Sequence, residues 1–488
     1  MMSVIKKREI DKYLVNKKSF IDETEINKKL AANKKNDLIR LNEILKKSLA
    51  IETLSPDETA FLLNISNKDY WQKIFETASA VKKKVYNNRI VTFAPLYCSN
   101  LCVNNCMYCG FRNSNEAVVR KRLRLEEIRK EVLWLVGKLG HKRLISVYGE
   151  HPSTGIDYIC ESLRTIYSAT VKTKKGYIGI RRVNVNAAPM SISDLKKLHK
   201  AGIGTYQVFQ ETYHPQMYSK VHPASTIKGN YLWRLYCMHR AMEAGIDDVG
   251  IGVLFGLYDW KFEVMGILYH AIELEKRFGI GPHTVSFPRL KPAFNTPFSK
   301  GTKYQVSDDD LKKLVAVIRL AVPYTGMILT AREPEDVRSK LWQVGITQMD
   351  AGTKIGIGDY SDEHDLRSSD KEQFLIGDTR SLDEVIGDLA GRGMITSFCT
   401  AGYRCGRTGK NIMQLLRTGQ EGKFCKLNAI LTFKEWLDDF ACARTKSLGK
   451  KLIKKEIEEV KKIFPKSIYG KFLQYYAETA NGKKDLYF

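Results

Sequence analysis

The spacing of apolar residues changes near residue 88. Before it, Leu38, Leu41, Ile44, Leu45 and Leu49 recur at helical spacing. Ser55 followed by Pro56 predicts another helix start, with the serine as cap and the proline in the first turn. After it, short β-rich runs alternate with helical stretches. The runs are Ile90–Tyr97, Leu144–Gly149, Arg182–Ala187, Tyr206–Glu211, Val249–Phe255, His283–Leu290, Gly326–Ala331 and Ile346–Ala351. Helices are predicted between them over Leu125–Leu139, Ser191–Ala201, Tyr231–Ala244, Lys261–Phe278 and Ser307–Val322. Eight such repeats predict an α/β fold, a (β/α)8 barrel of the TIM type over residues 86–360. A helical extension precedes it over 1–85. Residues 361–380 read as a polar loop and Ser381–Arg392 as a helix, within a mostly helical C-terminal domain over 361–488.

Composition narrows the class. No run of eighteen apolar residues occurs, so no membrane span is expected. The opening residues lack an apolar signal core, which leads us to expect a cytoplasmic or similarly reducing compartment. The net charge of +25 raises nucleic-acid binding as a class. The lysines are spread out, however, in runs such as Lys82-Lys83-Lys84 and Lys450-Lys451, and no nucleic-acid-binding signature accompanies them. A solvated basic surface that an acidic electron donor could use is the preferred reading. A nucleic-acid-binding protein with a structural zinc site is the competing one, and it predicts steeply salt-dependent affinity.

The ten cysteines change the picture more. In a long chain of this kind they point to metal or redox chemistry. Cys102, Cys106 and Cys109 fall within eight residues. A closed zinc site and an ordinary iron–sulfur cube each take four protein ligands. Three leave one iron open for something that is not protein. Cys98 ends a predicted strand and reads as a small buried hydrophobe. The motif follows the first strand, and barrel active sites lie at the C-terminal ends of strands. Later strands bring polar ends to the same mouth: Gly149-Glu150-His151, Asn184 and Asn186, Gln210-Glu211, Ser286 with Arg289, and Arg332. Gly250, Gly252 and Gly256 are expected to let the backbone approach a nucleoside closely.

The spacing Cys-x3-Cys-x-aromatic-Cys, with Tyr108 as its aromatic, resembles the motif of radical S-adenosylmethionine (radical SAM) enzymes. A second group holds Cys399, Cys405 and, downstream, Cys425. Together with Gly149-Glu150-His151-Pro152, Val208–His214, Gly250–Trp260 and Ser286–Leu290, the chain resembles the radical SAM tyrosine lyases over roughly residues 40–445. That family includes 2-iminoacetate synthase of thiamine biosynthesis and HydG, the [FeFe]-hydrogenase maturase, and the cysteine-bearing tail resembles the maturase branch. The resemblance implies a [4Fe-4S] cluster on Cys102, Cys106 and Cys109, with SAM on its open iron. Tyr108, Gly149, Glu150, Asn186, Gln210 and Glu211 would border the cofactor.

It further implies a second cluster on Cys399, Cys425 and a third cysteine, with a histidine on the helix before strand six. The position matching that third cysteine is Gly402, and Cys405 is the candidate replacement. His270 lies on the helix in question, where Glu273 occupies another position suited to a histidine. The implied substrate is L-tyrosine, with Arg289 the first candidate for its carboxylate, Ser286 a supporting donor and Arg332 the alternative clamp. The implied products are p-cresol and dehydroglycine. In the maturase branch, dehydroglycine becomes carbon monoxide and cyanide at the second cluster, for hydrogenase assembly. In the thiamine branch it leaves intact. The electron donor would be of the ferredoxin or flavodoxin kind, and other hydrogenase maturation proteins are possible partners in the maturase branch.

Overall fold

The computed structural model describes residues 4–173, 176–362, 369–418 and 421–488; part of the loop expected over 361–380 therefore lies outside the described residues. The expected barrel is present. Its strands are β1 (Arg89–Ser99), β2 (Arg143–Tyr148), β3 (Arg182–Asn186), β4 (Tyr206–Gln207), β5 (Val249–Gly252), β6 (Thr284–Ser286), β7 (Gly326–Leu329) and β8 (Gln348–Asp350). Each pairs in parallel with the next, and β8 closes the ring on β1 through Val91 opposite Gln348. The regular part of β4 is shorter than its sequence run, and beyond it Glu211 has a positive φ of 71°. Its backbone still tracks β5, with Val208 N and Gln210 N donating to the carbonyls of Gly250 and Gly252.

A ninth strand was not expected. β9 (Ile395–Ser397) runs parallel to the first residues of β1, with Arg89 opposite Ile395, while the later residues of β1 pair with β2. The eleven-residue length of β1 makes room for both. β9 thereby ties the C-terminal region to the N-terminal ends of the barrel strands, called here the lower mouth. The cysteine loop that follows β1 stands at the opposite, upper mouth.

The helical extension covers one side of the barrel. Ser55 caps Pro56–Leu63 with the reciprocal Glu58 bond of a capping box. Lys68–Tyr86 packs on Asp308–Ala321. Two expected helices are modified. The helix from Leu125 ends in a π-type turn over Leu135–Leu139, and the one from Tyr231 is interrupted at Tyr236. Among the described residues no helix is long and apolar enough to cross a membrane.

Candidate active site at the upper mouth

β1, β2 and β7 are buried along nearly their whole length, and Phe93, Ile145 and Ile328 form an apolar layer inside the barrel. Above it lies a cavity of about 220 Å³, bordered by that layer and by Cys102, Cys106, Cys109 and Tyr108. Gly149, Glu150, Asn186, Glu211, Ser286 and Arg332 border it too. These ten polar or glycine positions, scattered over the sequence, meet because parallel strands end on one side of the barrel.

The cysteine loop is held by its own backbone and by partners from distant segments. Val103 N donates to the Glu150 carbonyl at 2.8 Å, and Met107 N to the Val221 carbonyl at 3.0 Å. Asn104 Nδ2 donates to Glu150 Oε2 at 2.6 Å. Arg120 donates to the carbonyls of Asn100, Phe111, Arg112 and Asn115, pinning both ends of the loop. Gly149 is required by this approach. A Cβ there would stand 2.2 Å from the Leu101 carbonyl oxygen, closer than any side chain tolerates. The glycines of β5 serve packing instead of the expected ligand approach. A Cβ on Gly252 would meet the Phe209 ring at 2.6 Å, and one on Gly250 would meet Thr284 Oγ1 at the same distance.

The thiols suit a cluster. Burial pushes Cys106 up to about 12 and raises Cys109, so neither is a thiolate without a nearby cation. An iron–sulfur cluster held by Cys102, Cys106 and Cys109 would supply that cation. Gln373 Nε2, 3.6 Å from Cys109 Sγ, and Asn104 Nδ2, 3.7 Å from Cys102 Sγ, are donors aimed at sulfur. Among the described residues no three His, Cys, Asp or Glu converge on a single ion. Cys98 is buried, does not border the cavity and reads as the hydrophobe expected.

The charged groups divide clearly. Burial opposes ionisation of Glu211, but Lys228 at 2.8 Å and Arg234 at 3.1 Å outweigh it and hold its carboxyl below the usual range. Glu150 lies on the other side of that balance: burial raises it, against the Asn104 bond. Arg332 has no hydrogen-bond or ion-pair partner among the described residues. Its guanidinium lies 3.3 Å from the centre of the Phe374 ring, which fixes its plane at the cavity wall. Lys228, Arg234 and Arg120 were absent from the sequence expectations. They sit outside any motif, on loops or a short helix, and only folding brings them to the cysteines.

Three expectations for this mouth are corrected. Arg289 does not border the cavity. Its guanidinium is bound by Glu333, by Asp308 at 2.8 Å and by the Val306 carbonyl at 2.8 Å, so its charge is already spent. Gln210 faces away from the cavity, because Gln207, Phe209 and Glu211 take the inward positions of that strand. Asn184 also lies lower, accepting from Thr205 N at 3.0 Å.

The second cysteine group does not assemble as expected. Cys399 and Cys425 border one cavity at the lower mouth, together with Gly402, Arg404 and Asn428. Cys405 is exposed, outside that cavity, and its thiol donates to the Phe488 carbonyl at 3.4 Å. His270 is buried far from it in the chain's packing. Its Nδ1 is 2.8 Å from the Tyr213 hydroxyl, and its ring stacks towards His239 under Phe20 of the N-terminal extension. Glu273 is engaged by His239 and Arg277. The lower cavity measures about 10 Å³, roughly the room one water needs. An eight-atom iron–sulfur cube does not fit these residues as they stand.

Comparison with known proteins agrees with the upper-mouth geometry. Residues 96–265 match the model of the Radical SAM superfamily, and residues 286–395 that of the Biotin and Thiamin Synthesis associated domain. The chain is 32% identical to 2-iminoacetate synthase of Salmonella typhimurium over 355 residues, 72% of this chain and 88% of that protein. It is 47% identical to a crystal structure of HydG, a maturase of the [FeFe]-hydrogenase, with a TM-score of 0.89 over 96% of this chain and 100% of that one. HydG from Carboxydothermus hydrogenoformans is 37% identical, with a TM-score of 0.76 over 97% and 100%. Together with the cysteine triad at the upper mouth, this similarity shows that the chain belongs to the radical SAM family of HydG and 2-iminoacetate synthase.

Proposed function

We propose that the chain cleaves the Cα–Cβ bond of L-tyrosine to give p-cresol and dehydroglycine. The observation that carries this reading is the unpartnered guanidinium of Arg332 facing the cysteine-lined cavity, in a chain 47% identical to HydG. A [4Fe-4S] cluster with bound SAM supplies, on reduction, the 5′-deoxyadenosyl radical that begins such reactions. Everything else falls to the protein. Cys102, Cys106 and Cys109 would hold the cluster. Glu150 and Glu211 present carboxylate oxygens to an ammonium or to ribose hydroxyls, and Asn186 and Tyr108 complete the wall.

Arg332 replaces Arg289 as the clamp for the tyrosine carboxylate. A guanidinium held flat on Phe374 offers two parallel N–H donors, which is the fork a carboxylate accepts. Ser286, buried on the cavity wall at the end of β6, adds a hydroxyl donor. Burial within the barrel mouth keeps water from the reacting centre. The basic surface suits an acidic electron donor of the ferredoxin or flavodoxin kind.

The test is an anaerobic turnover with reconstituted protein, SAM, reductant and L-tyrosine, scored for p-cresol and 5′-deoxyadenosine. Both are expected. Deoxyadenosine without p-cresol overturns tyrosine as substrate.

A further inference from the structure

We infer that this chain carries a single iron–sulfur cluster, because its own segment Asp485–Phe488 fills the place where the family resemblance puts a second one. Gly402 has no ligating atom, and among the described residues that border the cavity no third thiol and no imidazole replaces it. Cys405, the nearest thiol in sequence, is turned outward and bonded to the Phe488 carbonyl.

The segment is built in. Asp485 pairs with Arg404, whose Nη2 is 2.9 Å from Oδ1, and with Arg181 Nε at 3.0 Å. Its backbone N–H donates to Glu435 Oε1 at 2.9 Å. Phe488 N donates to Asn428 Oδ1 at 2.9 Å, while Asn428 Nδ2 donates back to the Phe488 carbonyl at 3.2 Å. Between these anchors Leu486 and Tyr487 border the same cavity as Cys399, Gly402 and Cys425, and the Arg404 guanidinium lies 4.1 Å from the Tyr487 ring centre.

The anchoring is also electrostatically committed. Burial would raise the Glu435 carboxyl, but Arg181 and Lys142 outweigh it and hold it at about 2. Glu435 therefore stays charged and fixes Arg181 for Asp485. A cluster at this site would have to expel the segment and leave Arg181 and Arg404 without Asp485.

The consequence rests on the lyase reading: with no second cluster, dehydroglycine leaves the enzyme intact, as in the thiamine branch, and carbon monoxide and cyanide are not made. The cluster count itself does not depend on that reading. The deciding measurement is iron and acid-labile sulfide per chain in the anaerobically reconstituted full chain, beside a Cys399→Ser/Cys425→Ser double variant. About four of each are expected in both proteins. About eight irons, or a drop of about four in the double variant, overturns the inference. If the double variant fails to fold, thiol labelling of the full chain read by peptide mass decides instead. Cys425 is expected to react slowly before and after iron chelation and many-fold faster in a variant ending at Lys484. Protection of Cys425 that disappears on chelation overturns the inference. p-Cresol formation is scored separately, so a failed lyase reading and a failed cluster count are told apart.

Discussion

At the upper mouth three thiols border a cavity of about 220 Å³, whereas at the lower mouth two border one of about 10 Å³. Both ends inherit cysteines from the same family pattern. The upper loop is held by Arg120 on its carbonyls and by Asn104 on Glu150 at the cavity wall, and its three thiols still border open space. The lower group is pinned at the cavity wall, by Arg404 on Asp485 and Asn428 on Phe488, with Arg181 holding Asp485 from outside the lining. A cysteine pattern becomes a cluster site only where the supporting bonds leave the space in front of it empty.

The largest effect that would sharpen this contrast is at the upper mouth. Cys102→Ser removes one of three thiolates, and nearly all iron and all SAM cleavage are expected to vanish by iron analysis and deoxyadenosine assay. Retention of most of the iron would move the cluster elsewhere. Arg332→Ala comes next. Loss of a charge-assisted fork of about 1.5–3 kcal/mol predicts a KM for tyrosine roughly 10- to 100-fold higher. Arg289→Ala is the control. It leaves Glu333 with Lys291 alone, so thermal stability should fall while KM changes little.

At the lower mouth, Glu435→Gln strips the counter-charge from Arg181 and Lys142, all of them buried. Breaking such a group costs about 3–5 kcal/mol, read as a lower midpoint in urea, with the upper cluster still assembling. The smallest effect is expected from Cys425→Ser, which should leave iron content and p-cresol formation at the wild-type level. A large loss there would erase the difference between the two mouths.

Much of this contrast was legible at one end only. The barrel was readable because β-rich runs alternate with helices eight times, and the upper ligands were readable because three thiols lie within one short loop. Arg289 and Arg332 were not separable by sequence. Both follow barrel strands, and their difference lies in Glu333 and Asp308, acidic partners that only the fold delivers to one of them. Gln210 failed for a local reason, since one residue of strand register decides which face a side chain takes.

By itself the sequence determined the periodicity that closes the barrel, the place of the cysteine loop after its first strand, and the glycine at 402 that cannot ligate iron. Only the tertiary structure decided which arginine faces the cavity, that β9 joins the base of β1, and that residues 485–487 border the lower site. The physical reason is range. Hydrophobic period and ligand spacing act over a few residues, whereas Arg181, Arg404, Glu435 and Asp485 are up to about three hundred positions apart and meet only when the charges are buried together.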